Sequence, residues 1–471
     1  MKRLIKNGTI VTAQKTYKAD ILIDGEKIAW IGVDLPSEDC EVIDATNLLV
    51  LPGGVDPHVH LELPMFSTVS SDDHYTGGKA AAFGGTTTMI DFVSLEKGSL
   101  EDNIVRHRAM ADPKTSIDYS AHMNITRFDD AVESQLKDLP GLGITSVKVF
   151  TAYNGRLRLD DGNIFKVMRI GGKAGLLTMV HAENGDIIDL LVSEALSAEH
   201  KEPIWHARTR PAWGEVEASL RAFAIGAQAD SPVYLVHMNV AEEVDQLAYA
   251  RSKGLPAMGE TCPQYLFFTE DDLKRPDGAK WICSPPLRKA QDQQGLLNGL
   301  ENGTIQVLST DHCPFFYDGT KSILYEGEPV RIPGKELGMG DFTKIPNGLP
   351  GLGDRLVVFW NHAVSGGMMT PNQFVELTST NPAKIFGLYP QKGCVEVGSD
   401  ADLALWDPKR EVTYGVAQAQ HRTDYNLYEG WKLRGYPVQV LLRGKTIVRN
   451  GEWFGSAGQG RFLYRKTGEI L

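Results

Sequence analysis

Two histidines in a short extended segment are the first residues of this sequence whose types and spacing suggest chemistry. They are His58 and His60, and they follow an apolar run that is closed by Pro52-Gly53-Gly54. Side chains at positions i and i+2 of an extended chain point to the same side, so both imidazoles can reach one point. Imidazole is a common metal ligand, and the pair therefore suggests a metal site, although two nearby histidines alone do not establish one.

The elements that must position these residues are eight strand-like stretches, which alternate with amphipathic, helix-like segments. This alternation is typical of α/β architecture, and eight such units favour a TIM (β/α)8 barrel over an open sheet. The predicted strands cover residues 48–59, 86–93, 117–125, 144–151, 175–181, 233–237, 257–265 and 305–309.

Polar residues stand at or just beyond the ends of these predicted strands. In a TIM barrel the carboxyl ends of the strands form the rim that carries the chemistry, so we expect these side chains to meet there. The residues are His58, His60, Asp91, His122, Lys148, His181, His237, Glu260 and Asp311. The Gly- and Pro-rich region 314–354 is too long for a simple connection and is predicted to form a loop over the site.

The two ends of the chain have a different texture, with short apolar runs separated by turn residues. Asn7-Gly8 and Asp24-Gly25 each lie between apolar runs and predict hairpins, and similar runs return after residue 400. Because isolated hairpins are marginal in water, we expect both ends to meet in one small β-sandwich domain. The predicted organisation is residues 1–53 and 390–471 in the β-sandwich domain, including a C-terminal tail, and 54–389 in the barrel.

Composition excludes several classes of protein. There are 48 Lys and Arg against 60 Asp and Glu, and a net charge of −12 disfavours a nucleic-acid partner. The sequence has no apolar run of membrane-spanning length and no leader pattern at its start, so we expect a cytoplasmic protein that does not bind membranes. The 5 cysteines are widely scattered, and we expect reduced thiols rather than a disulfide framework.

Lys148 lies inside the apolar run Ile144–Phe150, where a charged ammonium is costly to bury. Burial should therefore lower its pKa. A neutral lysine amine can add CO2 to give a carbamate, whose two oxygens could bridge two cations. The alternative interpretation, a lysine paired with a nearby carboxylate, is favoured by periodicity and burial alone.

Several further motifs, taken together, resemble the dihydropyrimidinase/D-hydantoinase family of cyclic amidohydrolases, and the resemblance extends over the whole chain. Beside the segment that contains the two histidines, the matching motifs are Gly84-Gly85-Thr86-Thr87-Thr88, Val147-Lys148-Val149-Phe150-Thr151-Ala152-Tyr153, Val180-His181-Ala182-Glu183, Gly259-Glu260-Thr261-Cys262-Pro263-Gln264-Tyr265-Leu266, Ser284-Pro285-Pro286-Leu287-Arg288, Thr310-Asp311-His312-Cys313-Pro314-Phe315 and Ile345-Pro346-Asn347-Gly348. The chain departs from the commoner family pattern at Met238-Asn239-Val240, next to a candidate ligand.

The resemblance implies a centre of two zinc ions per chain. His58, His60 and Asp311 would hold one ion, and His181 and His237 the other. A carboxylated Lys148 and a water or hydroxide would bridge them.

The resemblance also implies the reaction and the roles of the residues around the metals. The enzyme would open dihydrouracil, dihydrothymine or 5-substituted hydantoins to N-carbamoyl amino acids. Asp311 would pass the proton of the attacking water to the departing nitrogen, and Tyr153 would hydrogen-bond the developing oxyanion. Ser284 and Asn347 would bind the cyclic imide through backbone groups. Family members are usually homotetramers, and a tetramer or a dimer is expected here.

Other polar residues have plainer interpretations. His122 is expected to be a hydrogen-bonded core histidine, His312 to point away from the metals, and Cys313 to be a buried thiol. Asp91 and Glu260 are expected to support histidines or backbone groups. The remaining histidines of polar stretches, His74, His107 and His200, give no signal.

Two other functions stay open. A dihydroorotase or allantoinase is the first, but dihydroorotases place an arginine shortly after the paired histidines, where this chain has the apolar, acid-bearing segment 61–66. The second is a non-catalytic scaffold resembling the dihydropyrimidinase-related signalling proteins, which have lost metal ligands. All six expected ligands are present here, and a metal assay would separate the two.

Overall fold

The middle of the chain forms an eight-stranded parallel sheet. The computed structural model describes residues 2–471, and in it each strand of this sheet pairs with the next one along the chain. We name the strands β1 to β8: Gly54–Asp56, Thr86–Val93, Asp118–Asn124, Ser146–Phe150, Leu177–His181, Val233–Leu235, Ala257–Thr261 and Val307–Leu308.

The two ends of this sheet meet just beyond β1 and β8. Val59 and His312 form a parallel bridge there, and the backbone N–H of His60 donates a 2.7 Å hydrogen bond to the carbonyl oxygen of His312. All residues of the eight strands are buried, as expected where helices cover one face and the barrel interior the other. The predicted α/β fold with a TIM-type barrel is confirmed.

Seven helices of ten or more residues connect the strands. They are α1 to α7: His74–Phe83, Leu100–Ala111, Asp161–Lys173, Gly185–Ser197, Ala212–Ala229, Ala241–Ser252 and Ala290–Glu301. Four of them begin after a side chain that accepts a hydrogen bond from the first turn, namely Asp73, Ser99, Asp160 and Asn184. Shorter α-helices cover Asp130–Gln135, Ile204–Arg208, Pro263–Phe267, Arg355–Phe359, Pro371–Val375, Asn381–Ile385 and Val416–Ala419. None of the helices within residues 2–471 combines the length and the apolar character needed to cross a bilayer.

Strands from both ends of the chain form two further sheets. One contains Lys27–Gly32, Asp20–Asp24, Lys2–Lys6 and Cys40–Asp44, in that order. The other contains Glu452–Trp453, Lys445–Arg449, Lys432–Leu442, Leu403–Thr413, Leu49–Pro52, Thr9–Val11 and Thr16–Lys18. Buried residues of both sheets, among them Ile5, Ile23, Val50 and Leu403, share one apolar cluster. The domain boundaries at 53/54 and 389/390 stay a prediction.

Two local predictions were wrong. Asp24-Gly25 does connect paired antiparallel strands, but Asn7-Gly8 does not, because the strands on either side of it belong to different sheets. The predicted strand at 257–265 ends at Thr261, and Pro263 then begins a short helix. Proline at the first helical position lacks only an N–H that would have no partner in the helix, so the residue favours this change of structure.

The C-terminal segment packs against its own barrel. Tyr119 forms a parallel bridge with Phe462 beside β3. The buried guanidinium of Arg465 donates hydrogen bonds to the hydroxyls of Ser120 and Ser146, at 3.0 and 2.9 Å. The expected tail is thus held on the barrel by backbone and side-chain bonds.

Candidate active site

Three of the predicted ligands converge directly beyond β1 and β8. Oδ1 of Asp311 lies 3.1 Å from Nε2 of His58 and 3.2 Å from Nε2 of His60. Zinc ligands at about 2.0–2.1 Å in a tetrahedron lie roughly 3.3–3.4 Å from one another. The spacing of these three atoms therefore fits a single ion between them.

The other two histidines form a second pair beside the first group. Nδ1 of His181 lies 3.0 Å from Nε2 of His237, again close to the spacing of two ligands of one ion. Burial lowers the pKa of both imidazoles, and it lowers the pKa of His60 to about 4. Neutral imidazole is the form that binds metals, so the environment of these rings favours ligation.

Lys148 lies between the two groups, and its surroundings bear on the two interpretations of this residue. Its Nζ lies 3.0 Å from Nε2 of His58 and above the ring of Phe92. Within residues 2–471, no carboxylate forms an ion pair with it, which argues against the paired-lysine alternative. Burial, opposed by the charges of Asp311 and Glu260, lowers its pKa to about 8. A substantial fraction of the amine is therefore neutral near pH 8.

Two glutamates orient the imidazoles from behind. Oε1 of Glu260 contacts Nδ1 of His58, and its other oxygen accepts a 2.9 Å hydrogen bond from the hydroxyl of Tyr234. Glu183 lies 2.8 Å from Nε2 of His181. Carboxylates in this position fix the tautomer and the orientation of metal-binding histidines. The predicted supporting role of Glu260 fits these contacts, whereas the sequence predicts no separate role for Glu183.

The predicted substrate residues line the same cavity as the histidines. The side-chain amide of Asn347 donates a 3.0 Å hydrogen bond to the hydroxyl of Ser284. The ring of Tyr153 lies 5.0 Å, centroid to centroid, from that of His181. The cavity has a volume of about 180 Å³, and besides these residues it is lined by apolar side chains that include Leu63, Met65, Phe66, Phe150 and Leu157.

Comparison with known proteins identifies the family. The sequence model of the amidohydrolase family matches residues 49–447. The chain belongs to this family. The D-hydantoinase of Geobacillus stearothermophilus is 46% identical over 476 aligned residues, which cover 100% of this chain and 98% of that protein. The D-hydantoinase of Rhizobium radiobacter is 42% identical and covers 99% of both chains.

Solved structures agree with the sequence comparison. The crystal structure of the dihydropyrimidinase from Brevibacillus agri superposes on this amidohydrolase with a TM-score of 0.95, at 46% identity and over 100% of both chains. The resemblance to the dihydropyrimidinase/D-hydantoinase family is therefore confirmed.

Lys335 is a residue of this amidohydrolase that the sequence did not single out. It is fully buried, and its Nζ donates hydrogen bonds to the carbonyl oxygens of Ile282, at 3.0 Å, and Pro346, at 3.1 Å. These carbonyls lie close in sequence to Ser284 and Asn347, so one side chain ties together the two segments that carry these predicted substrate residues. Burial lowers the pKa of Lys335 to about 7. It lies in the Gly- and Pro-rich loop, where no periodicity marks a buried position.

The structure also shows the surroundings of the other histidines. His122 is buried and bonded to the carbonyl oxygen of Pro57, and Nδ1 of His312 accepts hydrogen bonds from Gly351 and Leu352, as expected. The sequence gives no signal for His74 and His107, and the structure shows surroundings for them that the sequence did not predict. Both are buried beside Asp91, because helices α1 and α2 turn them toward β2.

Proposed function

We propose that this amidohydrolase opens the ring of dihydrouracil, dihydrothymine or 5-substituted hydantoins and releases N-carbamoyl amino acids. The observation that carries the proposal is the convergence of His58, His60, His181, His237 and Asp311 around the amine of Lys148, beside a cavity that all of them except His58 line. The names of its relatives, D-hydantoinase and dihydropyrimidinase, support the same class of substrate.

The donor set fits two zinc ions. His58, His60 and Asp311 would hold one ion and His181 and His237 the other, and each group has the atom spacing of a zinc shell. Lys148 would add CO2: its neutral amine forms the N–C bond, loses a proton and becomes a carbamate that bridges both ions. Bound in this way, two zinc ions would lower the pKa of a shared water toward ~7 and polarise the ring carbonyl.

Asp311 has the ionisation state that a proton carrier needs. Burial raises the pKa of its carboxyl group, but the charges and hydrogen bonds of His58 and His60 outweigh burial and hold the pKa well below its usual range. The carboxylate can therefore accept the proton of the attacking water. It then delivers this proton to the ring nitrogen as the C–N bond breaks.

Tyr153 is suited to donate a hydrogen bond to the developing oxyanion. Burial and the charge of Glu183 raise the pKa of its phenol above the ordinary value, so the hydroxyl keeps its proton at neutral pH. Its backbone is left-handed, with φ of 67°, and this turn directly after β4 directs the ring toward the cavity. A donor held in place before the reaction stabilises charge that develops only in the transition state.

The cyclic imide would be bound by neutral groups of Ser284 and Asn347. The backbone N–H of Asn347 donates a hydrogen bond to the thioether sulfur of Met65, at 3.2 Å. A thioether is a weak acceptor, so a substrate carbonyl could take its place. The apolar side chains of the cavity wall would accommodate the substituent of the ring. We also propose a homotetramer or a dimer, which the family resemblance implies.

A test is the ring opening of three substrates by the zinc-loaded protein: dihydrouracil, a 5-substituted hydantoin and dihydroorotate. The first two should yield N-carbamoyl products, and dihydroorotate should be at least ~10³-fold slower in kcat/KM, because a buried carboxylate without a partner is strongly disfavoured. Arg156 also lines the cavity but is exposed and stacked near Phe66, so it lies at the mouth. If the wild type turns over dihydroorotate at a rate comparable to dihydrouracil, the assignment is wrong. Loss of that turnover in Arg156→Met would then favour a dihydroorotase that binds the carboxylate through Arg156.

A further inference from the structure

A second group of two histidines and one aspartate lies outside the catalytic cavity. It consists of His74 at the start of α1, Asp91 on β2 and His107 on α2, and all three residues are buried. Oδ2 of Asp91 lies 3.2 Å from Nε2 of His74 and 3.6 Å from Nε2 of His107. These distances bracket the roughly 3.3–3.4 Å between two ligands of one tetrahedral zinc ion.

The three atoms that face one another have no hydrogen-bond partner among the described residues. Buried polar atoms are nearly always satisfied, so three unsatisfied atoms at one point require an explanation. Two other atoms of the group do have partners. Nδ1 of His74 lies 3.0 Å from Oε2 of Glu62, and Oδ1 of Asp91 accepts a 2.8 Å hydrogen bond from the backbone N–H of Phe92.

The contact with Glu62 determines what Nε2 of His74 can do. If Nδ1–H donates to the Glu62 carboxylate, Nε2 carries a lone pair that points at an oxygen of Asp91. Two acceptors at this distance repel each other unless a cation or a proton lies between them. A carboxylate that orients the far nitrogen of a histidine is a common support of metal ligands.

We propose that His74, Asp91 and His107 form a binding site for a divalent cation of the zinc class, separate from the catalytic centre. The competing explanation is a proton on Nε2 of His74, which would make an imidazolium between Glu62 and Asp91. That proton would satisfy His74 and Oδ2 of Asp91, but Nε2 of His107 lies 3.6 Å from the same oxygen, beyond ordinary hydrogen-bond distance. A cation satisfies all three atoms at once.

The surroundings leave room for a fourth ligand, and they connect this group to the segment of His60. His107 lines a cavity of about 190 Å³ together with Glu62, and a water there could complete the shell. Oδ1 of Asp91 also accepts a 3.4 Å hydrogen bond from the backbone N–H of Leu61, the residue that follows His60 in the chain. A cation on Asp91 would thus hold the segment that carries His60 in place without contacting the substrate.

The proposal is tested by counting bound zinc after loading and dialysis against metal-free buffer. His107→Gln should bind one equivalent less than the wild type, and His362→Gln, which changes an exposed histidine, should bind as much as the wild type. Comparing variants in this way isolates the new site, because the difference does not depend on how many ions the catalytic centre holds. Equal zinc content in the wild type and His107→Gln would overturn the proposal.

A second measurement separates loss of the site from loss of the fold. Lys148→Ala, loaded with cobalt, should keep one equivalent and show the visible absorption of four-coordinate Co²⁺. Adding His107→Gln to this variant should remove both the ion and the absorption, with unchanged circular dichroism, whereas adding His362→Gln should remove neither. An imidazolium in place of the metal predicts a Lys148→Ala protein without cobalt, and that result would contradict the proposal.

Discussion

The two groups of histidine and aspartate have nearly the same internal geometry. In the catalytic group, Asp311 lies 3.1 and 3.2 Å from two imidazole nitrogens, and in the other group Asp91 lies 3.2 and 3.6 Å from two. Their neighbours differ. The catalytic group adjoins Lys148 and a cavity with Tyr153 and Ser284, whereas the other lies between β2, α1 and α2.

This difference shows what a reactive metal site needs beyond ligands. Imidazole and carboxylate groups at ligand spacing suffice to hold an ion. Turnover also needs a group that can bridge to a second ion, a carboxylate that can carry a proton, a donor for the oxyanion and space for substrate. Within the part of the chain that the structure describes, only the catalytic group has a candidate for each of the four roles, and these are the roles that we propose for Lys148, Asp311, Tyr153 and the cavity.

The largest expected effect is that of Lys148→Ala. Without the carbamate, the variant should lose zinc from the catalytic centre and ring-opening activity together, and short carboxylic acids should partly restore both. The measurements are zinc content and kcat with dihydrouracil. His362→Gln, which changes an exposed histidine outside both groups, is the control and should keep activity within about twofold. A Lys148→Ala enzyme that turns over at the wild-type rate would contradict the bridging role.

Asp311→Asn should have the second-largest effect on activity. The amide cannot accept a proton, so kcat should fall by at least ~10²–10⁴-fold, the usual contribution of general acid–base catalysis, even where zinc remains bound. The comparison to make is kcat per bound zinc in the variant and the wild type. If kcat per bound zinc is unchanged, another residue carries the proton.

Tyr153→Phe should have a smaller effect and leave the metals in place. Loss of one oxyanion donor typically costs ~10²–10³-fold in kcat, or about 2.7–4 kcal/mol. Steady-state kinetics test the expected fall in kcat, and zinc analysis of the same sample tests whether the metals remain bound. A wild-type kcat would exclude the oxyanion role.

Lys335→Met should give the smallest catalytic effect. The side chain ties the segments of Ser284 and Asn347 but does not contact substrate, so we expect KM to rise several-fold and kcat to change less. A larger drop in kcat than rise in KM would contradict this positioning role.

The low pKa of Lys335 should also be visible when the free energies of unfolding of the wild type and of Lys335→Met are compared as a function of pH. The folded pKa, about 7, lies below the ordinary 10.5, so between these values the unfolded chain binds more protons. The free energy of unfolding of the wild type, relative to Lys335→Met, should therefore rise by roughly 1 kcal/mol per pH unit through this window. Denaturant titrations at pH 7 and above measure it, and a flat difference would exclude a neutral Lys335.

The sequence could predict the barrel and the residues at its rim because both follow from local patterns. Strands, helices and the residues at strand ends are read from short windows, and motifs around His58, Lys148 and Asp311 belong to single segments. The left-handed backbones of Tyr153, His237 and Asp311 have no such signal, since none of the three is a glycine.

Features that depend on packing between distant segments could not be predicted. His74 and His107 lie on different helices in polar stretches, and only the packing of both helices on β2 brings them to Asp91. Asn7-Gly8 has the composition of a hairpin turn, but its two strands join different sheets. Local composition does not contain that information.

Anomalous diffraction from crystals of the zinc-loaded protein tests the central claim most directly. The account predicts two zinc peaks in the catalytic cavity, one at His58, His60 and Asp311 and the other at His181 and His237. Density for a carboxyl group on Lys148 should connect them. A single peak in the cavity, or an unmodified Lys148 between two peaks, would contradict the account.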